Sequence, residues 1–514
     1  MPTLNWIGKE AVVNHDKEVP FRLLKKVKAH SVGDSQNLII KGDNLEGLKA
    51  LMPYYVGKIK SIYIDPPYNT GNESWVYNDK VNSPKIKKWF NKVVNRDDLC
   101  KHDKWLCMMY PRLKLLYDLL DNNGVMFVSM DDNEIENLSF LAKEIFGENN
   151  VEIMIWHQTS TILGAGSGTL RYSPRFRNEH EYILVCYKDR NNFQFKKVLK
   201  LSKLKLTYDN PDNDPRGEWI SADTCKGERR SNPNGKNYYT YKTPKGAEYT
   251  RQWHFSVEQM KQFEKDNRLY FGKNGTALPR LKKFVNEKRP VTQISIINDV
   301  GSNTDGKQDL KEIFNEIIFD YPKPKDLIKR LLYLSTNEED VVLDSFAGSG
   351  TTGHAVLDLN KEDGGNRKFI LIEMEDDIAK KITAERIKRA IEKYDYKDGF
   401  EYCELDKPLF DENGQIEETC DFNQFATYIY FTETQTNIDK KQIDKNFIGE
   451  SGETEYYLIY KEKYKNVLNK SFLSKIKKNK NKKVIYADRC LVDDDILEKL
   501  NIQFKQIPYE VKVY

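Results

Sequence analysis

Cysteine is sparse: seven residues at 100, 107, 186, 225, 403, 420 and 490, with no C-x-x-C pair. That scatter excludes a zinc ribbon and a disulfide framework, and it fits a reducing, cytoplasmic compartment. The seven histidines form no recognisable catalytic or ligand motif, so no metal is expected. No run of eighteen apolar residues occurs, which excludes a membrane-spanning helix of ordinary type. The opening MPTLNWIGKEAVVNHDKEV has no apolar stretch of signal-peptide type, so export is not expected. There is no internal repeat and no nuclease or helicase motif.

What remains is a chain of 514 residues, 39% hydrophobic and 31% charged, enough for two to four globular domains. The net charge of +4 hides a bias. Residues 196–296 hold 22 Lys and Arg against 11 Asp and Glu, so that segment carries about +11 and the rest about −7. A basic segment inside a near-neutral chain marks a polyanion-binding surface or a solvated lysine-rich face.

Strand-like and helix-like segments alternate over residues 31–190. NLIIKGD ends a short strand at Asp43, NLEGLKALM follows as a helix, and KSIYID is a second strand. YPRLKLLYDLLDNNG reads as a helix that stops at Asn-Asn-Gly. VMFVSM and EYILVCYK read as buried strands, with the capped helix DDNEIENLSFLAKEIFG between them. Over 191–300 the alternation gives way to dense turn signals, as in SNPNGKNYYTYKTPKG. It resumes with YPKPKDLIKRLLYLS, DVVLDSFAGSGTTGHAVLDLN and RKFILIEME. From about 401 short strands and a lysine-rich stretch, Lys475–Lys483, follow. The expected architecture is α/β: an N-terminal arm over 1–30, one sheet built from 31–190 and 301–400, an insert over 191–300, and a small α+β domain over 401–514.

Two motifs carry chemistry. In LDSFAGSGTTG a strand ends at Asp344, and Gly348, Gly350 and Gly353 open a helix whose first N–H groups are unpaired. The usual match for such a loop is a dinucleotide site, and Glu373, at the end of FILIE, stands where an acid binds ribose hydroxyls. In SIYIDPPYNTGN the strand delivers Asp65 to the sheet edge where open α/β folds bind ligands. Pro66 and Pro67 fix the backbone and carry no N–H. Their carbonyls and the Asp65 carboxylate form a rigid set of acceptors suited to an amino group, and Tyr68 offers a flat face for stacking. A plain Asp-Pro-Pro turn is the blander reading.

DPPY upstream of FAGSGT resembles the amino-group DNA methyltransferases that use S-adenosylmethionine. Their circularly permuted β-class shares this order, with a target-recognition domain in the insert. WLCMMYPRLKLLYDLLDNNGVMFVSMDDNE, NEHEYILVCYK, GKNGTALPRLKKFV, FDYPKPKDLIKRLL and the ending NIQFKQIPYEVKVY look like the modification subunits of Type III restriction–modification systems. The resemblance covers most of residues 31–400. It implies a Rossmann-like class I methyltransferase sheet, circularly permuted, that methylates adenine N6 in double-stranded DNA. It also implies a homodimer and a helicase–nuclease restriction subunit as partner.

Carried onto this chain, the resemblance implies that Asp65 and the Pro66 carbonyl accept from the target amino group, Pro67 stiffens the motif, and Tyr68 stacks on the flipped base. Phe346 would pack on the cofactor, with Asp344, Ala347, Gly348, Ser349, Gly350 and Thr351 around its methionine end. Glu373 would hold its ribose, Lys323 and Pro324 would touch it, and Asp43 would lie near its adenine. Ser345 departs from the family's usual proline. Arg229, Arg230, Lys236, Tyr238, Tyr239, Arg251 and Trp253 are expected on the DNA-binding face of the insert. The chemistry agrees. Two acceptors on an exocyclic amino group localise its lone pair and stabilise the charge that develops there, and a histidine base is not required. The alternatives are cytosine-N4 or RNA amino methylation, a DNA-recognition subunit whose methylation is secondary, and a dinucleotide-dependent oxidoreductase.

Overall fold

The computed structural model describes residues 3–33, 35–70, 101–158, 176, 178–201, 209–285, 287–410, 416–417, 420–438, 443–461 and 465–507. The chain divides into two compact units, 1–195 with 294–514, and 196–293. No helix among the described residues is long and apolar enough to cross a membrane.

The larger unit is organised by a ten-stranded sheet. Its strands are β1 (Arg22–Lys26), β2 (Leu38–Lys41), β3 (Ile59–Ile64), β4 (Leu120–Met130), β5 (Val151–His157), β6 (His180–Tyr187), β7 (Ile296–Ile297), β8 (Val341–Asp344), β9 (Lys368–Glu373) and β10 (Glu401–Pro408). They lie in the order β1-β10-β2-β9-β8-β3-β4-β6-β5-β7. The run from β10 to β4 is parallel, and β6 is antiparallel to both its neighbours.

The two halves of the chain meet at the β8–β3 pair, where Leu343 stands opposite Ile62. From β8 the chain runs through the helix Thr351–Asp363 to β9 on one side, whereas β3 leads to β4 on the other. The point where strand order reverses is where such sheets open a crevice beyond their carboxyl ends. Asp65 and Asp344 both stand at that edge.

The strands are apolar on both faces because both are covered. Ile62, Ile64, Leu343, Ile370 and Ile372 pack with Leu48 and Leu51 of the helix Asn44–Tyr55 and with Trp105, Leu113 and Leu116 of the helix Lys101–Leu119. Tyr63, Val342, Phe369 and Leu371 pack on the other side with Leu327, Leu331, Ala355, Val356 and Ile387. Each buried Val, Leu, Ile or Phe among them contributes roughly 1.5–3 kcal/mol, so the crevice is built on a rigid floor.

Three boundaries differ from the sequence reading. Residues 3–30, expected as an N-terminal arm, join the main unit: β1 pairs antiparallel with β10, and Val12 and Val19 are buried in the core. β10, expected in a separate C-terminal piece, is a strand of the main sheet beside β2. Beyond it a four-stranded sheet, Phe447–Ser451, Thr454–Leu458, Lys482–Ala487 and Ile502–Gln506, belongs to the same compact unit. The helix expected to stop at Asn-Asn-Gly ends earlier, at Leu119, and those residues begin β4. Within the lysine-rich stretch, Lys483 is buried and donates to the Asn479 side chain and the Asn481 carbonyl.

The unit 196–293 is made of short strands, as its turn signals predict. Trp219–Asp223, Arg280–Phe284 and Leu269–Tyr270 form one sheet, and Tyr238–Lys242 pairs with Glu248–Gln252 as a hairpin. A capping box, Ser256 with Gln259, starts the helix Val257–Lys265. Cys225, Tyr241, Trp253, Met260, Leu269 and Leu281 form the small core.

Candidate active site

The strand β3 ends on Ile64, and Asp65 begins the turn. One carboxylate oxygen, Oδ2, accepts from Lys323 Nζ at 2.8 Å. The other, Oδ1, is buried and has no hydrogen-bond partner among the described residues. Burial pushes the Asp65 carboxyl above its ordinary range, Lys323 opposes the shift, and Glu181 adds to it.

The next residues are fixed from behind. Trp105 Nε1 donates to the Pro67 carbonyl at 2.7 Å. Asn69 takes a left-handed backbone, φ 59°, and its side-chain amide donates to the buried Glu134. Glu134 also bonds His102 Nδ1 and Asn137 Nδ2, each at 2.7 Å. The Pro67 carbonyl is therefore engaged, whereas no described residue donates to that of Pro66.

Tyr68 is held by its hydroxyl, which donates to Glu181 Oε2 at 2.8 Å. Glu181 also accepts from Gln158 Nε2 at 2.5 Å and from Asn303 Nδ2 at 3.2 Å. Lys323 Nζ lies 3.4 Å from its Oε2 and 4.9 Å from the centre of the Tyr68 ring. Burial alone would lower the Lys323 pKa, but Asp65 and Glu181 outweigh it and hold the ammonium above its ordinary value. Lys323, expected among the cofactor contacts, joins its side chain to the DPPY motif. Its backbone does reach the glycine loop, where its carbonyl accepts from the Thr351 hydroxyl at 3.4 Å. Pro324 caps the helix Lys325–Ser335.

Across the switch point the glycine loop is built on two acids. Asp344 accepts from the Phe346 amide at 3.0 Å and from the Thr352 hydroxyl at 2.6 Å. Burial pushes its carboxyl up to about 7, and no described lysine, arginine or histidine pairs with it. Glu373 accepts from the Gly348 amide at 2.8 Å and the Glu375 amide at 3.0 Å, and burial raises it against those bonds. Gly348 and Gly350 have φ of 48° and 77°, the left-handed region that glycine enters without penalty. A Cβ on Gly348 would stand 3.4 Å from the Phe319 ring, and one on Gly350 3.2 Å from the Thr383 carbonyl. Phe346 and Ala347 are buried, and the Ala347 amide donates to the Ile372 carbonyl. Ser349 and Thr351 share the buried guanidinium of Arg386.

Asp43 caps the helix Asn44–Tyr55, accepting from the Leu45 and Glu46 amides. Arg112 ties it to the site, reaching Asp43 at 3.3 Å and the Asn44 side chain at 2.5 Å, while Asn44 donates to the Ser345 carbonyl. The loop therefore offers a buried acid with two hydrogen-bond donors and no described counter-cation, beside left-handed glycines at a helix start. A buried acid of this kind suits a ligand that carries a positive charge.

Sequence reasoning missed Glu181, Arg112 and Phe319. The acid at the head of the apolar strand EYILVCYK is the only signal that pointed to Glu181.

In the unit 196–293 the expected DNA-facing residues separate. Arg229, Arg230 and Lys236 are exposed, Tyr238 is half-buried, and Arg251 pairs with Glu228 at 3.1 Å. Trp253 is 2% exposed, stacks on Tyr239 with ring centres 5.6 Å apart, and donates to the Tyr239 carbonyl. Tyr239 in turn donates its hydroxyl to the Phe255 carbonyl. Trp253 is thus a core residue, unavailable to a base. Among the described residues no cluster of His, Cys, Asp or Glu could hold a metal ion.

Residues 59–385 match the N6_N4_Mtase family model, described as DNA methylase. The chain is 34% identical over 368 residues to the Type III restriction-modification enzyme StyLTI Mod subunit of Salmonella typhimurium, 69% of this chain and 54% of that protein. It is 31% identical over 432 residues to the EcoPI Mod subunit of Escherichia phage P1, 74% and 64% of the two chains. With the EcoP15I Mod subunit of Escherichia coli it shares 28% identity over 503 residues, 84% and 75%. The chain thus spans between half and two thirds of the first two relatives. The matched segment begins with β3 and ends beyond Glu373, taking in both the DPPY motif and the glycine loop, and by it this chain belongs to the N6_N4_Mtase family of DNA methylases.

Proposed function

We propose that the protein transfers a methyl group from S-adenosylmethionine to the N6 amino group of adenine in double-stranded DNA, as the modification subunit of a Type III restriction–modification system. The observation that carries this reading is the buried Oδ1 of Asp65 and the neighbouring Pro66 carbonyl, neither with a hydrogen-bond partner among the described residues, one strand away from the glycine loop. Such a pair of acceptors meets the two hydrogens of an amino group, favours a pyramidal nitrogen and stabilises positive charge as it develops. Tyr68 offsets part of the roughly few kcal/mol needed to unstack the base.

When bound, S-adenosylmethionine supplies an electrophilic methyl group on a sulfonium. Asp344, Phe346, Gly348 and Glu373 would hold it, with Asp43 near its adenine. The buried Asp344 carboxyl, which no described cation pairs, suits its ammonium group. Exposed Arg229, Arg230 and Lys236 suit phosphate contacts. We further propose that it acts in the cytoplasm, as a homodimer and with a restriction subunit, as the Type III resemblance implies.

The test is incubation of purified protein with DNA and labelled S-adenosylmethionine, followed by analysis of the methylated bases. N6-methyladenine is expected. N4-methylcytosine alone would sink the adenine assignment. Asp65→Ala is expected to bind cofactor and DNA but to lose about 10²–10³-fold in rate; methylation at a near-normal rate would remove Asp65 from the chemistry.

A further inference from the structure

The DPPY motif is joined to a buried ion chain that the transfer chemistry above leaves without a role. Lys323 lies between Asp65 and Glu181, across the face of Tyr68, and is itself 7% exposed. Glu181 is 8% exposed and takes two donors on each oxygen: Tyr68 and Lys323 on Oε2, Gln158 and Asn303 on Oε1. These donors come from separate segments of the chain, so the carboxylate is the common anchor of the pocket wall.

We propose that Lys323 and Glu181 are positioning residues of the base site: Lys323 holds Asp65 with Oδ1 turned to the target amino group, and Glu181 holds both Lys323 and the Tyr68 hydroxyl. The proposal rests on the methyltransferase reading above. The terminal torsion of an aspartate is broad, so nothing in the side chain itself fixes the plane of the carboxylate. The ammonium on one oxygen does, and among the described residues the second oxygen has no competing donor. The same ammonium opposes the effect of burial on Asp65, which must be ionised to accept from both sides. The Tyr68 ring has one hydroxyl bond to set its plane, and Glu181 receives it. A glutamine at 181 has one acceptor oxygen for four donors and turns N–H groups toward N–H groups, so it loosens Tyr68 and Lys323 together while keeping the volume.

The groups that face Asp65 are Lys323, Glu181, Tyr68, Tyr63 from its own strand, and Asp344 from β8. Lys323 holds the carboxyl down, whereas burial and the neighbouring acid hold it up. In their direct charge effects Lys323→Met therefore raises the Asp65 carboxyl and Glu181→Gln lowers it.

The experiment is the pH profile of the methylation rate for the full-length wild type, Lys323→Met, Lys323→Arg and Glu181→Gln, together with the affinity of each for S-adenosylmethionine. In Lys323→Met the acid limb is expected to move up by about 1–3 pH units, the range by which an adjacent opposite charge moves a carboxylate, with cofactor affinity within about twofold of wild type. Lys323→Arg keeps the charge and is expected to hold the limb near its original place. Glu181→Gln is expected to move the limb down and to raise the KM for DNA about tenfold, in line with lost base stacking. If Lys323→Met loses cofactor binding while its limb stays put, Lys323 is a cofactor residue and the proposal fails. It fails equally if both neutral variants shift the limb in one direction, or change only the melting temperature. A wild type that methylates no base at any pH fails the underlying reading instead, before any variant is compared.

Discussion

Thr352, in the first turn of its helix, turns its hydroxyl back to Oδ2 of Asp344 at 2.6 Å. That bond and the Phe346 amide are the compensation Asp344 has, and burial still pushes its carboxyl up to about 7 from 3.8. A cationic group binding there requires the ionised form. Affinity for S-adenosylmethionine is therefore expected to fall as pH drops below about 7, and Asp344→Asn is expected to weaken binding and flatten that dependence. Stability without cofactor runs the other way. The raised group binds its proton in the folded state where the unfolded chain has released it, so its contribution is present below about 4 and lost as pH rises through 7. Titrations of cofactor between pH 5.5 and 8.5 check the first statement, and urea unfolding of wild type and Asp344→Asn at both ends checks the second. A cofactor affinity independent of pH would refute the assignment of Asp344 to the cationic end.

Gly350 and Gly364 have nearly the same backbone, φ 77° and 75°, at opposite ends of one helix. An alanine at either place costs about 1–2 kcal/mol of left-handed strain. Only at 350 would the new methyl crowd a neighbour, the Thr383 carbonyl; at 364 nothing lies within 4 Å. Both Gly350→Ala and Gly364→Ala are expected to lower the melting temperature, but only the first to weaken cofactor binding. Equal losses of affinity in the two would mean that the glycine loop acts on the cofactor through stability alone.

Trp105, fully buried, donates its indole N–H to the Pro67 carbonyl. Trp105→Phe keeps most of the packing and leaves that carbonyl unpaired, at a cost of about 1–3 kcal/mol. The strain falls on the turn that carries Asp65 and Tyr68 and not on the glycine loop. The turnover rate is expected to drop while cofactor affinity holds, which calorimetry beside steady-state kinetics will show. A loss confined to cofactor affinity would contradict it.

Much of this site was legible because its acids end apolar strands. Ile62–Ile64 delivers Asp65 and the FILIE run delivers Glu373, and in a doubly covered sheet such residues fall at the ligand edge. Glu181 was not legible in the same way. It stands at the head of a strand, and its partners at 68, 158, 303 and 323 are tied to it by no periodicity. The same limit hid β7, two residues long, and β10, which follows a long helix and reads as the start of something new. Trp253 was misplaced for a different reason. In a basic, tyrosine-rich segment an aromatic residue reads as a stacking platform, but here the indole packs in the core of the unit with Cys225, Tyr241, Met260, Leu269 and Leu281.

That distinction separates two kinds of DNA-binding defect. Trp253→Ala removes a buried indole from the core of 196–293, and such truncations cost about 3–5 kcal/mol. It is expected to open that unit to limited proteolysis and to abolish DNA binding at every salt concentration. Arg229→Ala with Arg230→Ala removes two exposed cations that no described side chain engages. The pair is expected to leave the melting temperature and cofactor affinity unchanged and to weaken DNA binding on all sequences alike. The slope of log affinity against log salt should fall by about one for each phosphate that is no longer neutralised. Should the double variant change which sequence is methylated while its salt slope stays that of wild type, the two arginines read base edges and not the backbone.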